Sequence, residues 1–251
     1  MPDVSEISQP VLDLEDALRV DLGNGHVRCF QAQGFLALGR ITTDEELAWL
    51  RDVYDTIIRR KTGYTPDELA NATDGHGPIS LITLISPEGI VSELKNTLFL
   101  RNARIVVARL LGVEETHLLS GWRVFFKPAG GNETFWHQDA AYHASPYIGA
   151  SVWLTLDPAT SESGCMHYIK KSHLGAIRPH HVHGGCLIAD DVDPAQAVAC
   201  PVLAGEAIVH HCRTLHGAGP NKTNGPRRAL VVVCQVIRDN FRIAIQGCSV
   251  E

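Results

Sequence analysis

Long apolar runs are missing from this chain of 251 residues. No stretch approaches the roughly 20 residues that cross a bilayer, which argues against a membrane-spanning helix and a membrane partner. Basic residues are also short: 22 Lys and Arg stand against 28 Asp and Glu, a net charge of -6. A surface of that sign is a poor match to a nucleic-acid backbone. Paired cysteines are absent too. Cys29, Cys165, Cys186, Cys200, Cys212, Cys234 and Cys248 stand singly, with no Cys-x-x-Cys, so a structural zinc site is not expected. Their odd number, and the lack of a basic-then-apolar leader before Asp21, point to free thiols in a reducing cytoplasm. The acidic segment over residues 1–20 reads as a partly ordered arm. There is no internal repeat, low-complexity tract or clear linker. What remains is 45% hydrophobic and 20% charged, ordinary for a globular protein, and its length fits one domain over residues 1–251.

Residues 21–115 read as a mostly helical scaffold. Thr43 and Glu46 fit a capping box, with Thr43 as N-cap and Glu46 reaching back. Leu47, Leu50, Tyr54, Ile57 and Ile58 follow at helical spacing and form one stripe. Thr65, Pro66 and Glu68 suggest a second, short helix start. Residues 79–86 are apolar and β-branched enough for a strand, and residues 92–111 form a longer helical stretch stopped by Gly112. From about residue 116 to 245 the pattern changes. Residues 121–127 and 150–156 alternate, and residues 166–169, 207–211 and 228–237 are further strand candidates. Gly, Pro and Asn clusters separate them. Many short strands with turn-rich links predict a barrel or a double-sheet jelly roll.

Trp136-His137-Gln138-Asp139 carries the chemistry. Residues i and i+2 of a strand face the same way, so His137 and Asp139 can reach one ion with Gln138 turned away. His216 is the candidate third ligand. Two imidazoles and one carboxylate suit non-haem Fe(II) oxygenases, although catalytic zinc takes the same donors. With 13 histidines in the chain, a lone His-x-Asp pair is about what random placement supplies. Arg227 adds weight. The turn-forming residues 220–226 suggest a hairpin that brings the strand beginning near Arg227 back beside the strand ending near His216. A guanidinium there would hold a carboxylate by two parallel hydrogen bonds.

Other residues carry weaker signals. His180, His181 and His183, with Asp190, Asp191 and Asp193, read as a solvated loop rather than a second metal site. Trp122, Phe125, Trp136 and Tyr142 are candidates to shape a substrate pocket, and Arg123 and Lys127 to meet an acidic substrate.

With these residues in view, the second half resembles the phytanoyl-CoA dioxygenase family of Fe(II)- and 2-oxoglutarate-dependent oxygenases. The matching segments are His137-Gln138-Asp139, Gly164-Cys165-Met166, Ser172-His173 and the block from His216 to Arg227. The resemblance implies a mainly β fold with flanking α-helices around a double-stranded β-helix (jelly-roll, cupin-like) core. It implies that His137, Asp139 and His216 bind iron. It further implies that Arg227 pairs with the distal carboxylate of 2-oxoglutarate, with Arg228 as the fallback, and that Trp153 lines the cosubstrate pocket. The activity implied is oxidation, by default hydroxylation, of a C–H bond of a small organic substrate with O2, releasing succinate and CO2. Asp139 disfavours halogenation, which needs that ligand position empty. The competing readings are a zinc-dependent hydrolase on the same ligands and a non-enzymatic jelly-roll binding protein. Two departures stand out. Lys170-Lys171 replaces the Pro-Gly common before Ser172-His173, and Ala218 stands where members often carry a serine that touches 2-oxoglutarate.

Overall fold

The computed structural model describes residues 20–66, 68, 81–143, 147–183 and 185–237. Among the described residues three α-helices, α1 (Asn24–Gln33), α2 (Asp44–Thr62) and α3 (Leu98–Leu111), pack on one side of two antiparallel sheets. The major sheet contains β1 (Phe35–Arg40), β2 (Ile82–Ile85), β3 (Leu118–Lys127), β5 (Gly149–Thr155), β10 (Glu206–His211) and β12 (Arg227–Val236), in the order β1-β10-β5-β12-β3-β2. The minor sheet contains β4 (Thr134–His137), β6 (Met166–Ile169), β9 (Ala197–Cys200) and β11 (His216–Ala218), in the order β4-β11-β6-β9. A separate hairpin joins β7 (His180–His183) and β8 (Cys186–Ala189). This is the double-stranded β-helix, with helices on the outer face of its larger sheet.

Strand alternation divides the interior in two. Val152 and Leu154 of β5, with Leu230 and Val232 of β12, turn to the helices and join the core that includes Leu50, Ile57 and Val106. Trp153, Ala229 and Val231 point the other way, into the space between the sheets, and pack with Cys165, Met166, Tyr168 and Ile208. The apolar stripe of α2 is wholly buried. Each such fully enclosed Leu or Ile contributes about 1.5–3 kcal/mol relative to an exposed one.

The strand β1 lies in the segment read as helical. It is only six residues long, and its burial alternates weakly. Pairing with β10 defines it more than its own pattern does. The longer helical stretch is split. Residues Ser92–Asn96 form a 3-10 turn, Thr97 breaks it and caps α3, and Gly112 closes α3 at φ 68°. At Thr65, the reciprocal bonds of a capping box form with Glu68, while the helix body predicted beyond lies largely outside the described residues, as do the arm at residues 1–19 and Cys248.

The capping box at α2 forms only in part. Thr43 does accept a hydrogen bond from Glu46 N. The Glu46 carboxylate, however, does not reach back. It is buried, accepts from Leu98 N and Phe99 N at 2.6 and 2.9 Å, and also takes the Thr42 hydroxyl. A carboxylate from α2 thus satisfies two orphan amides at the start of α3, where the helix dipole also favours negative charge. Glu46→Ala would leave those amides buried without partners. We expect a loss of about 2–4 kcal/mol in chemical denaturation. A loss below about 0.5 kcal/mol would show that this carboxylate does not hold the two helices together.

Candidate metal centre

His137 ends β4, and the chain stays extended through Gln138 before a 3-10 turn begins at Asp139. Asp139 therefore lies just past the strand rather than in it, yet the extended link preserves the alternation. Gln138 is turned away and fully buried, its amide donating to Arg213 O and accepting from Arg178 N. His216 opens β11 directly opposite His137 in the minor sheet. Donor atoms of His137, Asp139 and His216 all lie within 4.8 Å of one another, and among the described residues this is the cluster that could hold a metal ion.

The donor set fits a divalent cation. Nδ1 of His137 sits 2.8 Å from Phe135 O, and Nδ1 of His216 sits 2.9 Å from Thr214 O. Each ring must donate at Nδ1 to make that bond, which leaves the Nε2 lone pair free as a ligand. These two Nε2 atoms lie 3.8 and 3.6 Å from Asp139 Oδ1. Burial lowers the pKa of both imidazoles, most strongly that of His216. Burial would raise the Asp139 carboxyl, but the facing imidazoles of His216, His210 and His137 outweigh it and hold the group below the usual carboxylate range. Neutral imidazoles and an ionised carboxylate are the states that metal binding requires.

Two further side chains, not singled out in the sequence, complete the surroundings of Asp139. Ser151 Oγ donates to Oδ2 at 2.7 Å, and His210 Nε2 lies 3.3 Å from the same oxygen. Ser151 shares its strand face with Trp153, so alternation alone could have flagged it. His210 has no sequence pattern of its own that marks it.

The inner face of the major sheet leads from this cluster to a buried cationic end. One pleat beyond Ser151, roughly 7 Å along the strand, stands Trp153, and the Arg227 guanidinium lies 5.2 Å from its ring centroid. The predicted hairpin between His216 and Arg227 does not exist. β11 belongs to the minor sheet and β12 to the major one, so residues 219–226 cross between sheets. Asn221 braces that crossing with bonds to Pro128 O and Gly225 O. Strand parity separates the two arginines. Arg227 faces inward with Ala229 and Val231, while Arg228 faces the helices and binds Asp157 and Asp55.

Arg227 is 2% exposed, and no ion pair with it occurs among the described residues. It donates to Gly164 O at 2.8 Å, and its Nε has no partner there. Its cross-strand neighbour is Lys127, itself 0% exposed, whose Nζ donates to Gly219 O. Burial brings the Arg227 pKa down to about 10. Burial, then the charge of Arg227, brings Lys127 to about 7. A buried guanidinium with no ion pair among the described residues, set beside a buried amine, is costly alone and complementary to an incoming anion. Ala218 places a methyl in the inner cluster, while the neighbouring Gly219 O accepts from Lys127 Nζ.

The rest of the expected lining divides. Phe125 packs on the inner cluster, but Trp122 belongs to the helix-side core. Tyr142 is 52% exposed at the mouth, edge-on to His137 and accepting from Leu187 N. Arg123 lies on the inner face and donates to Trp122 O. His180 and His181 are engaged with Arg178 O and Asp190 respectively, and no second metal cluster occurs among the described residues. Lys171 takes the positive φ of 64° at the altered turn. Ser172 still links Ile169 O to Leu215 N, beside His216.

The phytanoyl-CoA dioxygenase (PhyH) family model matches residues 30–229. Among solved structures, EvdO2 from Micromonospora carbonacea var. aurantiaca complexed with 2-oxoglutarate is 36% identical, with a TM-score of 0.77, covering 88% of this chain and 93% of that one. A probable alpha-ketoglutarate-dependent hypophosphite dioxygenase from Stutzerimonas stutzeri is 29% identical over 44% of this chain, which is 42% of that relative's length. The peroxisomal phytanoyl-CoA dioxygenase of Rattus norvegicus is 22% identical over 88% of this chain and 70% of its own. This chain thus spans less than half the length of the first of these curated relatives. No helix among the described residues is long and apolar enough to cross a membrane.

Proposed function

This chain belongs to the phytanoyl-CoA dioxygenase family, and from that premise we propose that it is an Fe(II)- and 2-oxoglutarate-dependent dioxygenase acting, by default as a hydroxylase, on a C–H bond of a small organic substrate. We take residues 1–251 as one oxygenase domain, and the free thiols of the described cysteines fit a reducing compartment such as the cytoplasm.

The observation that carries the reading is the pairing of a His-Asp-His cluster with an uncompensated buried arginine on the same inner face. His137, Asp139 and His216 would hold Fe(II). When bound, Fe(II) and 2-oxoglutarate together supply oxidative decarboxylation to succinate and CO2 and, with O2, the oxidation of the substrate. The chain's own groups orient and shield. Phe135 O and Thr214 O fix the ligand rings. Arg227, set against the Trp153 ring with Lys127 as its cross-strand neighbour, would take the distal carboxylate of the cosubstrate by charge-assisted hydrogen bonds. The apolar residues between the sheets exclude water, which strengthens every one of these contacts. EvdO2, solved with 2-oxoglutarate, supports the choice of cosubstrate. A zinc hydrolase on the same ligands would leave Arg227 and Lys127 without a partner anion, and a binding protein would have no use for ligand rings held in one tautomer.

The test is spectroscopic. Anaerobic protein given Fe(II) and then 2-oxoglutarate is expected to develop the visible metal-to-ligand charge-transfer band of a chelated keto acid. Succinate should then form on admission of O2. Binding of zinc with no band from Fe(II) and 2-oxoglutarate would overturn the assignment in favour of the hydrolase.

A further inference from the structure

The two oxygens of Asp139 have different surroundings. Oδ1 faces His137 and His216, whereas Oδ2 is turned to Ser151 Oγ at 2.7 Å and His210 Nε2 at 3.3 Å. We infer that Ser151 and His210 are positioning residues that keep Asp139 a one-oxygen ligand. The inference rests on the metal reading above.

The two donors come from one place in the sheet. Ser151 and His210 are direct cross-strand partners on the inner faces of β5 and β10, so a single residue pair presents both donors to one oxygen. His210 is 3% exposed and cannot turn to water. Its other nitrogen, Nδ1, sits 3.2 Å from the Tyr168 hydroxyl. A phenol donating to Nδ1 fixes the tautomer with the proton on Nε2, aimed at Asp139. Tyr168 is itself fully buried and stacked on Phe35 at 4.5 Å. The chain of contacts therefore runs from a packed aromatic pair, through an imidazole, to the far oxygen of a metal-ligating carboxylate.

The consequence concerns how many metal positions remain open. An octahedral ion held by three protein atoms has three left, enough for a chelating keto acid and for O2. A carboxylate free to turn would bind through both oxygens and occupy one of them. Ligands held by outer hydrogen bonds typically lose 10–100-fold in metal affinity when those bonds go.

The experiment uses Co(II), which reports affinity and coordination number through its visible absorption, added to the full chain. Compared are the wild type, His210→Phe, His210→Gln, Ser151→Ala, Ser151→Thr and the His210→Phe/Ser151→Ala double variant. In the double variant the Co(II) dissociation constant should rise about 10–100-fold, and the visible spectrum should change in intensity. With Fe(II), its 2-oxoglutarate band should persist while succinate release falls at least about tenfold, because the open position is lost rather than the cosubstrate. His210→Gln and Ser151→Thr keep a donor and should stay within about threefold of the wild type. A double variant with wild-type affinity and spectrum overturns the inference. So do equal losses in His210→Gln and His210→Phe, which would mark packing instead of hydrogen bonding. If the wild type itself fails to bind Co(II), the metal reading falls instead.

Discussion

Asp139→Ala is expected to bind Fe(II) at least about 100-fold more weakly and to release no succinate, while keeping the fold. The loss should exceed the 10–100-fold typical of an outer hydrogen-bonding partner, because the only anionic ligand is removed. Two neutral imidazoles, His137 and His216, would then face a dication alone. The variant also strands Ser151 Oγ and His210 Nε2, which now donate to Asp139. Some destabilisation, about 1–3 kcal/mol, follows from those unmatched donors. Asp139→Asn separates the two effects. Its amide oxygen can still accept from Ser151, so its thermal stability should lie nearer the wild type, yet without the charge its metal affinity should fall nearly as far. Metal titration followed calorimetrically, with circular dichroism melts on the same samples, checks both. Succinate formation at the wild-type rate in Asp139→Ala would remove this carboxylate from the metal site.

How much of this was legible beforehand depended on whether a feature is local. The stripe of α2, the cap at Thr43, the stop at Gly112, the alternation of β3 and β5 and the strand β12 are each written within a few residues, and the structure has them. The path of the chain between His216 and Arg227 is not local. Turn-forming residues say that the chain reverses, but not whether it returns to the same sheet. Here it crosses to the other one. Glu46 carries the same lesson: the spacing Thr43-x-x-Glu46 satisfies the capping pattern, while the partner that uses the carboxylate lies 52 residues away at Leu98. His210 is hidden for a similar reason. It is an ordinary polar residue on a strand until the pairing of β5 with β10 sets it beside Ser151. Gly34 is a sharper case. At φ 89° its absent side chain makes room for His173 and Thr214, a contact of high sequence separation that no pattern near residue 34 announces.

Arg227→Leu and Arg228→Leu should separate stability from cosubstrate binding. Arg228 is matched in full: Asp157 takes its backbone N, Nε and a terminal nitrogen, and Asp55 takes the other. Removing it leaves two partly buried carboxylates without a cation, and a loss of about 1–3 kcal/mol is expected with 2-oxoglutarate affinity unchanged. Arg227 is unmatched. Its charge is enclosed beside Lys127, its Nε has no partner among the described residues, and burial already draws its pKa down to about 10. A leucine there removes a desolvation cost that no acid offsets, so the protein without cosubstrate should become more stable or stay the same. The same change should weaken 2-oxoglutarate binding about 100–4000-fold, the scale for truncating one side of a buried charge pair worth roughly 3–5 kcal/mol. Fe(II) affinity should hold, since the three ligands are untouched. Denaturation curves and anaerobic titration of the charge-transfer band measure both quantities on one preparation. An Arg227→Leu protein that binds 2-oxoglutarate like the wild type would assign the anion site elsewhere. An Arg227 that stabilised the free protein would need a partner that the inner face of β12 does not offer among the described residues.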